Sequence, residues 1–130
     1  MAEYLRFEFY IPSIFRVDVA NANPPRVDVH ETDPLVIEEF VRETIARFGG
    51  VTQANPAASA PFKGWWQSRR DSTRRITVDY LTYVFGLVRI DQQDEALDHF
   101  RGWKRKLEER TFQDVILVTY SPIHVLGDFF

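Results

Sequence analysis

The sequence predicts an α+β domain with element order β-α-β-β-α-β, in which four antiparallel strands carry both helices on one face. Three features predict it. Apolar residues alternate with polar ones near the N-terminus. Two segments repeat apolar residues at spacings of three and four behind an aspartate. Two later stretches are apolar in both phases of a strand.

The first strand is the alternation itself. Leu5, Phe7, Phe9 and Ile11 fall in one phase, Tyr4, Arg6, Glu8 and Tyr10 in the other, as a half-buried strand requires. Pro12 ends the regular part, and residues 20–32 read as a loop, with Asn21, Asn23, Pro24 and Pro25 supplying turn chemistry. Asp33-Pro34 then opens a helix, because aspartate is a favoured N-cap and proline has the φ of a first helical residue. Ile37, Phe40, Val41, Thr44, Ile45 and Phe48 form its apolar stripe, and Gly49 suits the left-handed residue past its end.

Val51-Thr52-Gln53 begins the second strand, which residues 55–61 interrupt and Phe62 to Gln67 resume. The arginine-rich segment 69–75 serves as a turn into a long third strand over 76–90, apolar on both faces through its middle. The second helix runs from about Gln92 to Arg110, capped by Asp91, with Ala96, Leu97, Phe100, Trp103 and Leu107 inward. Gln113 to Tyr120 closes the sheet, before Pro122 and an apolar tail. This is the split βαβ, or ferredoxin-like, arrangement, and right-handed crossovers place the first and third strands at its centre.

The 130 residues, 45% hydrophobic and 27% charged, suit one globular domain over 1–130. With no cysteine, disulfides, thiol nucleophiles and cysteine metal sites are excluded. No apolar run approaches the roughly 20 residues of a membrane span, and the N-terminus is too charged for a signal peptide, so a cytoplasmic protein with no membrane partner is expected. The net charge of −3 argues against a generally cationic nucleic-acid binder.

The segment Phe48-Gly49-Gly50-Val51-Thr52, then Gly64-Trp65, an Asp79-bearing strand, and Phe112-Gln113-Asp114-Val115-Ile116 together resemble a group of small uncharacterised bacterial proteins. That resemblance implies the same α+β fold and no particular activity.

Several residues could carry chemistry. Asp79, mid-strand, is a weak catalytic candidate if its face is dry, and otherwise a partner for Lys63 or an arginine across the hairpin. Trp65 and Trp66 point to opposite faces of a strand, so one belongs to the core and the other is free to line a pocket or interface. Arg69, Arg70, Arg74 and Arg75 could grip phosphates. The histidines, His30, His99 and His124, have no partner at ligand-pair spacing, so surface or interface roles are expected, with no metal and no cofactor.

Strands apolar in both phases leave the helix-free face unsuited to water, so a homodimer is expected, or else a cover formed by the N-terminal loop or the tail 123–130. The leading expectation is a self-associating, non-catalytic domain acting through protein contacts or small-ligand binding. Two other readings stay open. One is a nucleic-acid or nucleotide accessory protein using the 69–75 arginines; the other is a small enzyme of the dimeric α+β barrel type.

Overall fold

A computed structural model describes residues 2–54, 62–67, 76–113 and 115–127; at residues 2, 18, 62–67 and 76–79 it describes the backbone. The strands are β1 (Ala2–Pro12), β2 (Ile14–Val19), β3 (Arg26–Glu31), β4 (Thr52–Gln53), β5 (Phe62–Gln67), β6 (Ile76–Arg89) and β7 (Leu117–Val125). The helices are α1 (Pro34–Phe48) and α2 (Gln93–Arg110). The fold is α+β, with a main antiparallel sheet in the order β4-β6-β1-β7, β5 pairing with the first half of β6.

β1 and β6 lie at the centre, as expected. Two differences from the expected element order stand out. The region read as a loop contains β3, which pairs with β2 in a separate two-stranded sheet from Ile14↔Glu31 to Val19↔Arg26. Asn21 to Pro25 form the turn of this hairpin rather than part of a long loop. The last strand begins at Leu117, not Gln113, and runs through Pro122, which sits opposite Leu5 at the sheet edge. An edge strand tolerates a proline because one side of it has no ladder to complete.

α1 starts and stops where its end residues dictate. Asp33 accepts a hydrogen bond from the Leu35 amide at 2.9 Å, and Gly49, at φ 94°, returns its amide to Ile45 O. Its buried face is Val36, Ile37, Phe40, Thr44 and Phe48; Ile45, placed inward by the apolar spacing, is 45% exposed. α2 is preceded by a 3-10 turn over Ile90–Gln92, and its N-cap is Gln92, without the expected side-chain bond from Asp91.

The core lies between the helices and one sheet face. Leu5, Phe7, Phe9 and Ile11 of β1 meet Val84 and Val88 of β6, Phe40 and Phe48 of α1, and Phe100, Trp103 and Leu107 of α2. Aromatic rings form its centre: Phe7 stacks on Phe100 at 4.3 Å between centroids, Phe9 tilts against Phe40 at 4.7 Å, and Phe40 against Trp103 at 5.3 Å. Such pairs add about 0.5–1.5 kcal/mol each beyond the burial of their area.

Candidate functional site

The outward phase of β1 and its neighbours on either side build the second sheet face. Residues directly opposite in adjacent strands share a face. Arg6 therefore lies between Leu87 and Ser121, Glu8 between Phe85 and Thr119, and Tyr10 between Tyr83 and Leu117. No helix of the core packs here. The edges of this face differ from its middle: Tyr4 and Leu81 are buried, whereas Arg6, Glu8, Tyr10, Tyr83, Phe85 and Leu87 are half-buried and Thr119 and Ser121 exposed. The face expected to be unsuited to water is thus mixed in character. Arg6 and Glu8 occupy its centre, and the β7 side is hydroxyl-bearing.

A connected network joins these groups. Arg6 donates from Nη2 to Tyr83 Oη at 2.7 Å, and Tyr83 donates onward to Glu8 Oε2 at 2.6 Å. Tyr10 donates to the same carboxylate oxygen at 3.2 Å. The Arg6 guanidinium lies 4.5 Å from the centroid of Phe85, and its Nε is 3.7 Å from Glu8 Oε1. That Nε is shut off from solvent without a hydrogen-bond partner. The Tyr10 and Tyr83 rings tilt against each other at 5.2 Å.

The environment holds the two phenols in their neutral form. Burial raises the Tyr83 pKa above the ordinary tyrosine value, and its hydrogen bond to Glu8 adds to this while Arg6 opposes it. Burial and the Glu8 carboxylate raise Tyr10 likewise. The hydrogen bond with Tyr83 stabilises the charged form of Arg6. The arrangement suits recognition and packing: a guanidinium and a carboxylate side by side, held by hydroxyls and framed by aromatic rings.

Arg69, Arg70, Arg74 and Arg75 lie outside the described residues. Lys63, Trp65 and Trp66 fall in β5 and Asp79 in β6, and their side chains lie outside the description. The register sets Gly64, not Lys63, opposite Asp79, and Tyr80 opposite Lys63. Arg6, Glu8 and Tyr10 were visible only as the polar phase of an amphipathic strand. Their partner Tyr83 is 75 residues from Glu8 in sequence, so only the β1–β6 register reveals the cluster.

His99 departs from the surface or interface role expected of it. It is buried between the helices, and its Nε2 lies 2.9 Å from Thr44 Oγ1. Thr44 spends its one proton on Phe40 O at 2.7 Å, so His99 is the donor in this pair. Beside it, Trp103 Nε1 donates to Glu43 at 2.9 Å. Among the described residues no group of three or more His, Asp or Glu is placed to hold a metal ion. None of their helices is long and apolar enough to cross a membrane.

Comparison with protein families, with curated proteins and with solved structures finds no match.

Proposed function

We propose that this chain is a self-associating, cytoplasmic α+β domain that works through protein contacts rather than catalysis. The observation that carries the reading is the second sheet face. The helices occupy one side of the sheet, and the other presents half-buried Tyr10, Tyr83, Phe85 and Leu87 with exposed Leu117 beside them. Aromatic residues and arginine are the side chains that protein interfaces favour. The internal pairing of Arg6 with Glu8, and the neutral state enforced on both tyrosines, fit a packing surface better than an acid–base site. The same reading takes β1-α1-β4-β6-α2-β7 as a ferredoxin-like unit. The β2–β3 hairpin is then an insertion, β5 extends the sheet, and kinship with the small bacterial proteins of similar motifs follows.

Light scattering on the purified chain across micromolar concentrations tests the proposal. A mass of twice the chain or an even multiple is expected. A monomer throughout that range contradicts it.

A further inference from the structure

We infer that the second copy docks sheet to sheet on this same face, about a two-fold axis that crosses β1 between Arg6 and Glu8. The inference rests on the self-association reading and specifies its geometry and its pairing chemistry.

A two-fold interface must be complementary to itself, since each copy offers the same patch. The patch on the open face meets that condition by its charges. Arg6 and Glu8 are neighbours in one phase of the central strand β1, flanked by β6 and β7. A two-fold axis lying between the sheets and crossing β1 at Phe7 reverses the strand of the second copy. Each Arg6 is then brought opposite the other copy's Glu8, and each Glu8 opposite an Arg6. The Arg6 and Glu8 side chains are both partly exposed and stand 3.7 Å apart in one chain, so each patch presents a positive and a negative group side by side along the strand. Around the charges, Phe85, Leu87 and Leu117 supply apolar contact, while Tyr10 and Tyr83 supply ring area with hydroxyls directed to Glu8.

One competing way to join two such sheets is through the edge strand β7. Pro122 falls within that strand and has no amide to give to a neighbouring chain, a feature by which edges resist continuation. Among the described residues of β1, β6 and β7, the face opposite the helices presents partly exposed side chains with no comparable obstacle.

Charge reversal tests this. Arg6→Glu places two carboxylates at the centre of each patch and Glu8→Arg places two guanidinium groups there. Each variant alone is expected to weaken dimerisation about tenfold or more, because the axis sets like charges opposite each other. Mixed in equal amounts, the two should form a heterodimer at wild-type concentrations, which also demonstrates that both are folded. Leu117→Lys, an exposed change on the same face that leaves the network intact, should weaken dimerisation with no loss of helical circular dichroism. If the wild type dimerises and all three variants do so equally well, the interface lies elsewhere and this inference falls while self-association stands. A monomeric wild type overturns both.

Discussion

Thr44 of α1 and His99 of α2 join the two helices through a buried hydrogen bond of 2.9 Å in which the imidazole is the donor. Burial lowers the His99 pKa below its ordinary value, and the nearby Arg47 charge adds to this while Glu43 and Glu95 oppose it. Folded protein therefore binds this proton less readily than unfolded protein. Stability is complete above the unfolded value of about 6.5 and is lost as pH falls through it toward the depressed folded value. Urea unfolding at pH 7 and pH 5 should show this loss, and His99→Gln, which keeps a donor, should reduce it. Parallel pH profiles for the two proteins would remove His99 as its source.

Phe112 adopts φ 53° just past the end of α2, a left-handed conformation that side chains resist, and stacks at 5.5 Å on Phe15 of the hairpin. Phe112→Gly and Phe112→Ala both lose the ring, but only glycine is at ease in that backbone. The glycine variant should be the more stable of the two by about 1 kcal/mol, measured as the difference in thermal unfolding. Equal stabilities would mean that the backbone shifts when the ring is lost.

Glu108 joins α2 to the segment before β7 by accepting from both Lys104 Nζ at 2.6 Å and the Ile116 amide at 2.9 Å. Ile116 is buried, so its amide depends on this acceptor. Glu108→Ala should cost about 1–3 kcal/mol, with hydrogen exchange accelerated first at Ile116. Unchanged protection there would show that another acceptor takes over.

Asp33→Ala removes the acceptor that caps α1 and should cost about 1 kcal/mol. Phe100→Ala, which empties the middle of the aromatic core, should cost about 3–5 kcal/mol. Chemical denaturation checks both, and the account requires the core change to be clearly the larger.

What was legible in the sequence was local. Asp33-Pro34 and Gly49 announce α1 because capping needs only neighbours a few residues away. The alternation of Leu5 to Ile11 is legible because one face of β1 is fully buried. The β2–β3 hairpin was missed for the converse reason. Val27 and Val29 are more than half exposed and alternate with charged residues and His30, so β3 looks like polar loop beside a cluster of turn residues. Pro122 reads as a terminator unless the strand is known to lie at an edge. Ile45 fits the α1 spacing, but it stands on the side of the helix opposite Val36, which is buried. The open-face network was out of reach because it depends on pairing β1 with a strand some 70 residues later, and a one-residue slip would have sent Tyr83 to the core side.

The central claim is that two copies meet on the open face of the sheet. The chain has no cysteine, so Thr119→Cys, exposed on that face opposite Glu8, gives a single site for a spin label. Pulsed dipolar spectroscopy between two labelled copies should give a defined distance at Thr119, shorter than that from an equivalent label at Arg105 on the exposed side of α2. A Thr119 signal without dipolar modulation, or a shorter distance between the helix labels, would contradict the account.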